Sequence, residues 1–426
     1  LACNSGESTD GPSTSADIAC NGSPDAAAAD QTSLENSNAD FALDLYRALI
    51  APGSDASASG TSNVFVSPYS LSTALAMTYV GAQGATATEM ASALHFSLSQ
   101  DRVAPAFGWL EAQIAARGKA ATADRGKPFT LRQANAMWGY GGEHFVPSFV
   151  ATLASDFCSP LMTADFVDDP EGCRTTINQW TSAQTDGEIS QILPAGAIDM
   201  STRLVLVDAL YFAASWAGPF LPSATLPAAT FTRLDGTGTQ VDMMQQTGTF
   251  SYASGTGYQA IELPYDGESA VMDVLLPTAG SEAAFEAGLT EQSLASILSA
   301  LQPSPVALSL PKFQVAGSST DLVPILEQLG IEQAFGLGAD FSGVAQGPDP
   351  LFVAHVFHEA DVKVDENGTA ASAATAVVFD ADGGVSEASA PPPPVPMIVD
   401  RSFVVAIRDV PTGTILFLGR IADPNG

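Results

Sequence analysis

Large apolar side chains are scarce over the first 33 residues, which are rich in Ser, Gly, Ala, Asp and Asn. Phe41, Leu43, Leu45, Tyr46, Leu49 and Ile50 then recur at helical spacing. The contrast predicts a flexible tether over 1–33, which lacks the apolar groups to offset the entropy of ordering, and a folded domain from residue 34 opening on an amphipathic helix. Asn63 to Val66 reads as a short strand. Ser67 and Pro68 begin a helix with apolar positions Leu71, Ala74, Leu75, Met77 and Val80, Pro being suited to a first turn whose N–H groups lack helical partners. Gly81 and Gly84 end it, and Thr86 with Glu89 has the spacing of a capping box for the next helix. Ile177, Asn178 and Trp180 fall in a helical segment closing near Gly187. Leu204 to Phe212 is an apolar run interrupted by Asp208, as expected of a strand buried on both faces.

The second half reads mainly as strands: Phe250 to Tyr252, Ala260 to Leu263, Val271 to Leu276, Val306 to Leu310, Ala360 to Asp365, Phe403 to Ile407 and Ile415 to Ile421. Turn signals such as Pro264, Asp266-Gly267, Pro277 and Pro411-Thr412-Gly413 separate them, and a helix over Leu322 to Leu329 stops at Gly330. Helices early and strands late, without βαβ alternation or internal repeats, predict an α+β fold in one domain over 34–426.

Composition adds exclusions. Of the 426 residues, 46% are hydrophobic, enough for a sizeable core, and 47 Asp and Glu against 15 Lys and Arg give a formal charge of -32. Such a chain repels phosphate backbones, so nucleic acid is not an expected partner. No apolar stretch is long enough to span a bilayer. Leu1, Ala2 and Cys3 resemble the end of a bacterial lipoprotein signal, making Cys3 a candidate lipid-bearing residue; pairing with Cys20, or a free thiol, are the alternatives. An exported, extracellular protein is expected. Cys158 and Cys173, if paired, would close a short loop and contribute about 3 kcal/mol. Neither a nucleophile elbow, a P-loop nor a zinc motif is present, so no enzyme, cofactor or metal is expected. His355 and His358, three apart in a strand, face opposite ways and are a poor metal pair.

The chemistry concentrates after Asp365, where the chain reads Glu366-Asn367-Gly368-Thr369-Ala370-Ala371-Ser372-Ala373-Ala374-Thr375. Every side chain from Thr369 to Thr375 is small, and no Pro occurs until Pro391. A segment that must later become a central strand needs its N–H groups and must avoid bulk, which this composition satisfies. Gly368-Thr369 followed by Ala371, Ala373, Ala374 and Thr375 resembles the hinge of inhibitory serpins. Further similarities run in order along 36–424: Asn63, Ser67-Pro68, Ser70, Gly84 to Glu89, Asn178 with Trp180, Trp216 with Phe220, Leu263-Pro264-Tyr265, Leu310 to Phe313, Asp340 to Gly343, and Phe417-Leu418-Gly419-Arg420.

The resemblance implies helices around a large central mixed β-sheet with two further sheets and an exposed reactive loop at about 366–400. Family spacing places Ser67, Ser70, Asn178 and His358 in a polar cluster beneath the opening point of the sheet, with Trp216 and Glu366 where the loop first enters. It implies a monomer whose partner is a serine or cysteine protease, trapped as an acyl-enzyme when the cut loop inserts, an instance of strand addition and strain release. About 14 inserted residues at roughly 3.4 Å each move the protease on the order of 50 Å. Counting forward from Gly368 gives Asp382-Gly383 as the cleaved bond, with Ala381 or Phe379 as alternative specificity residues. Counting back from Phe403 lands near Pro391, so the loop is long on its distal side. The rival function is a non-inhibitory serpin acting as carrier or chaperone, for which bulky, charged or Pro hinge residues would speak.

Overall fold

A computed structural model describes residues 26–51, 61–120, 129–315, 319–347, 350–369 and 393–426. Helices dominate the start: α1 (Ala28–Ile50), α2 (Pro68–Tyr79), α3 (Gly84–Ala93) and α4 (Gln100–Ala120), with the short β1 (Val64–Val66) before α2. There follow β2 (Thr130–Tyr140), α5 (Pro147–Asp156), β3 (Met162–Ala164), α6 (Pro170–Gln184) and β4 (Leu204–Ser215). Next come β5 (Leu226–Thr232), β6 (Gly238–Gly255), β7 (Tyr258–Pro264), β8 (Ala270–Pro277), α7 (Glu282–Ala287), α8 (Glu291–Ser299) and β9 (Gln302–Pro311). The last part holds β10 (Phe313–Val315), β11 (Thr320–Asp321), α9 (Val323–Gln328), β12 (His355–Ala360), β13 (Val362–Asp365), β14 (Gly368–Thr369), β15 (Val395–Ile398), β16 (Phe403–Asp409) and β17 (Ile415–Ile421).

Local sequence accounts for much of this. Ser67 caps α2 by accepting the Ser70 N–H at 3.2 Å, with Pro68 in the first turn. Every α2 side chain is buried, so this helix has no polar face and belongs to the centre of the core. β4 is buried along its length except at the half-buried Tyr211. Leu204, Leu206, Leu210 and Phe212 point into the main core, while Val205, Val207 and Ala209 face a second cluster that Cys173 and Ile177 of α6 complete. Period-two alternation of two apolar sets thus makes β4 the middle of a sheet covered on both faces.

β2 pairs with β4 antiparallel on one side. On the other side β12 pairs with β4 in parallel, from His355 opposite Val205 to Ala360 opposite Leu210. Above that seam β13 parts from β4, and β14 fills the gap. The remaining sheet expected as two is one continuous network, because the 18-residue β6 pairs with β5, β7 and β9 along its length.

Three expectations need correction. The tether does not extend to residue 33: α1 begins at Ala28, because Asp30 in its first turn is held by Arg102 of α4, with Nε at 3.0 Å from the carboxylate. Thr86 and Glu89 do not form a capping box. The helix starts earlier, at Gly84, and these side chains instead accept the N–H groups of a distant segment, Thr86 that of Asp340 (2.9 Å) and Glu89 those of Glu332 (2.9 Å) and Gln333 (2.7 Å). Asn178 is not in the polar cluster, as described below. Periodicity also did not single out α4, which carries Pro105 inside it, or β2, whose polar Gln133 and Asn135 interrupt its apolar face.

Candidate functional site

The top of the central sheet holds the start of the small-residue segment as a strand. β13 turns at Glu366 and Asn367, and β14 runs back antiparallel to both neighbours, with Gly368 opposite Ser215 and Thr369 opposite both Ala214 and Val364. Gly368 is required here: its φ is +154°, and a Cβ would stand 2.1 Å from the Ala214 carbonyl oxygen. Around the turn, Trp216 N donates to the Asn367 carbonyl at 2.8 Å, Phe220 N to the Glu366 carbonyl at 2.9 Å, and Trp216 Nε1 to the Asp365 carbonyl at 3.0 Å. The Trp216 indole stacks on Tyr265, with centroids 4.6 Å apart and planes at 11°. Tyr265 shares a 2.6 Å hydrogen bond with the Thr369 hydroxyl, and its burial raises the phenol above its ordinary range.

Glu366 Oε1 lies 2.8 Å from Lys312 Nζ and accepts the Thr225 hydroxyl at 2.7 Å. Burial opposes its charge, but the Lys312 and Thr225 bonds outweigh burial and hold the carboxyl below its ordinary value. The hydrogen bond to Glu366 raises Lys312 in turn. Trp216 and Glu366 therefore sit together at the mouth of the parted strands. Hinge positions Ala370, Ala371, Ser372, Ala373, Ala374 and Thr375, the bond candidates Asp382, Gly383, Ala381 and Phe379, and Cys3 lie outside the described residues.

Beneath this mouth, under the closed β4–β12 seam, lies a buried polar cluster. Ser67 N donates to His358 Nε2 at 3.0 Å, and His358 Nδ1 stands 3.4 Å from Asp208 Oδ1. The Ser70 hydroxyl bonds to Asp208 Oδ1 and reaches Asn135 Oδ1 at 2.7 Å, while Asn135 Nδ2 donates to the Ser70 carbonyl at 3.0 Å. Ser67, Ser70 and His358 are thus brought together.

Asn178 is not with them. It lies on α6, across the sheet, where it donates to the Leu193 carbonyl (3.0 Å) and accepts the Leu193 N–H (2.8 Å), pinning the segment after that helix. Its place is taken by Asp208, fully buried, with Asn135 beside it. The signal for Asp208 was present: it is the one charged residue in the run Leu204 to Phe212. Asn135 had no local signal, because its partner Ser70 is 65 residues away.

His355 accounts for itself separately, with Nδ1 2.6 Å from Asp321, and among the described residues no group of three potential metal ligands occurs. Cys158 and Cys173 are both disulfide-bonded. Among the described residues no helix is long and apolar enough to cross a membrane.

Known proteins are similar to this chain in sequence and in fold. The family model for Serpin (serine protease inhibitor) matches residues 36–424. An uncharacterised serpin-like protein of Thermococcus kodakarensis is 36% identical over 385 residues, spanning 90% of this chain and 84% of its own length. Leukocyte elastase inhibitor of Sus scrofa is 34% identical over 399 residues, 92% of this chain and 99% of that one. Among solved structures, thyroxine-binding globulin in complex with thyroxine superposes with a TM-score of 0.77 at 27% identity, covering 92% of this chain and 99% of its own. With family residues running from the first helix to the last strand, and a hinge seated at the top of a sheet covered on both faces, the chain belongs to the serpin family.

Proposed function

We propose that this serpin inhibits serine proteases as a suicide substrate, with cysteine proteases of similar specificity as a second target class. The observation that carries the reading is β14: the first two hinge residues already lie between β4 and β13, in the register that full insertion would continue. The protease nucleophile attacks the carbonyl carbon at the specificity residue, the C–N bond breaks, the new amine leaves with a proton, and an ester or thioester joins protease to loop. The freed strand then replaces the β4–β12 pairing, and the displaced protease loses the geometry needed to position a deacylating water. Asp382 as specificity residue points to a protease that prefers acidic side chains. Secretion, and attachment through Cys3 where lipid is added, suit such a target.

The carrier reading has one specific support, the likeness to thyroxine-binding globulin. The small, Pro-free hinge favours inhibition, since a carrier has no need to keep these positions insertable. Incubation with a panel of serine and cysteine proteases decides. An SDS-resistant covalent complex, with a released peptide beginning at Gly383, is the expected result. Clean loop cleavage by every protease, without complex or loss of protease activity, overturns the inhibitory reading.

A further inference from the structure

Glu366 and Asn367 form the turn that lets β14 run back beside β13, and the Asn367-Gly368 pair has a chemistry of its own. An Asn side chain followed by Gly is open to attack by the next backbone nitrogen, because no Cβ shields that nitrogen. The Gly368 nitrogen bonds to the Asn367 side-chain carbonyl carbon, its proton passes to solvent, and the side-chain nitrogen leaves as ammonia. Water then opens the five-membered imide. Opening at the side-chain carbonyl gives Asp. Opening at the main-chain carbonyl gives isoaspartate, in which the chain continues through the side chain. The glycine that β14 needs, to clear the Ala214 carbonyl, is therefore also the residue that exposes Asn367 to this reaction.

Seating of β14 opposes ring closure. The Asn367 N–H is held on Asp365 Oδ1 at 2.8 Å and its carbonyl on Trp216 N at 2.8 Å, while Gly368 lies buried opposite both Ser215 and Asp365. With the backbone pinned on both sides, the Gly368 nitrogen cannot swing into line with the Asn367 Cβ, a torsion outside the ordinary strand and helix regions. Asn367 itself is only half-buried, which leaves water free to open the imide once it forms.

Isoaspartate does not fit the same seat. The main chain gains a carbon before Gly368, and the carbonyl that accepts the Trp216 N–H leaves the main chain as a free carboxylate. The register of Gly368 against Ser215 and Asp365 is then lost, and the new charge stands beside two acids, Asp365 and Glu366. We propose that Asn367 is a modification site gated by the hinge: it converts to isoaspartate while β14 is out of the sheet, and the conversion keeps β14 out. That modified molecules are cut without trapping the protease rests on the inhibitory reading; the modification itself does not.

The test ages the full chain at mildly alkaline pH, native and in urea, and follows the products by peptide mass spectrometry, with an isoaspartyl methyltransferase to mark isoaspartate. Asn21-Gly22, outside the described residues, supplies the same dipeptide as an internal reference. Folding should slow conversion at Asn367 about tenfold or more relative to that reference, as for any turn that must first open locally. Tyr265→Phe, which removes the bond to Thr369, should speed native conversion roughly two- to tenfold. Should that variant fail to fold, the wild-type ratio between native and urea samples carries the test. In aged native protein, hydrogen exchange over 366–369 should run about tenfold faster on the isoaspartate peptide than on its unmodified counterpart. Equal native and urea rates relative to the reference, no conversion at Asn367 in urea, or equal exchange in the two peptides overturns the proposal. Failure of unmodified protein to form a covalent complex with any protease would remove the inhibitory reading and leave the modification standing.

Discussion

At the scale of single residues, the hinge depends on contacts that tolerate no extra atom. Gly368 combines a φ of +154° with an approach to the Ala214 carbonyl that leaves no room for a Cβ. Gly368→Ala should unseat β14, break the bond between Tyr265 and Thr369, and cost roughly 1–3 kcal/mol of native-state stability. Hydrogen exchange of the amides at 366–369 should accelerate about tenfold or more. Unchanged protection there would show that the turn is held by Lys312, Thr225 and Trp216 alone. Gly368 was legible in the sequence only as the start of a small-residue run that resembles the serpin hinge. What it approaches was not, since Ala214 lies 154 positions earlier.

At the scale of elements, the two ladders flanking β14 agree on one register. Thr369 is opposite Ala214, so six residues further along an antiparallel strand Thr375 would come opposite Asp208, and on the other side opposite His358. In the loop-cleaved protein a central strand should therefore place Thr375 directly over the polar cluster. The measurement is a crystal structure of that form, or oxidation of a Thr375→Cys and Asp208→Cys pair, which should crosslink only after cleavage. A shift of one residue would turn Thr375 to the other face of the sheet and rule out direct continuation of β14. Periodicity located β4 and most later strands well, because each buries an apolar set at period two. It missed β2, whose Gln133 and Asn135 make the pattern read as a polar segment until their partners on α2 and α4 are known.

At the scale of the whole molecule, the acidic charge and three poorly solvated acids act in the same direction. Burial raises Asp273 to about 6 against the pull of Arg408, Glu111 to about 7 against the bonds of Tyr69 and Gln133, and Glu359 to about 7 with help from Asp361. Each binds its proton more tightly in the folded chain than in the unfolded one. The resulting stability is fully present below the unfolded values, near pH 4, and is lost as pH rises through 6 to 7. Self-repulsion of a chain with formal charge -32 adds to the loss. The thermal midpoint should therefore be higher at pH 5 than at pH 8. Asp273→Asn should flatten the part of that slope near pH 6, worth on the order of 3 kcal/mol. A midpoint that rises from pH 5 to 8 would contradict this assignment.

The sequence by itself determined the class of fold, the order of most helices and strands, and the segment on which function turns, because burial of a face and avoidance of bulk are written locally, residue by residue. Only the tertiary structure decided which side chains meet. It placed Asp208 rather than Asn178 beneath the seam, set Thr86 and Glu89 to hold the backbone of 332–340 instead of their own helix, and ordered 28–33 through Asp30 and Arg102. The physical reason is the same in each case. A polar group pays for burial by finding a hydrogen-bond partner, and that partner is chosen by the packing of faces distant in the chain, not by the spacing of its neighbours.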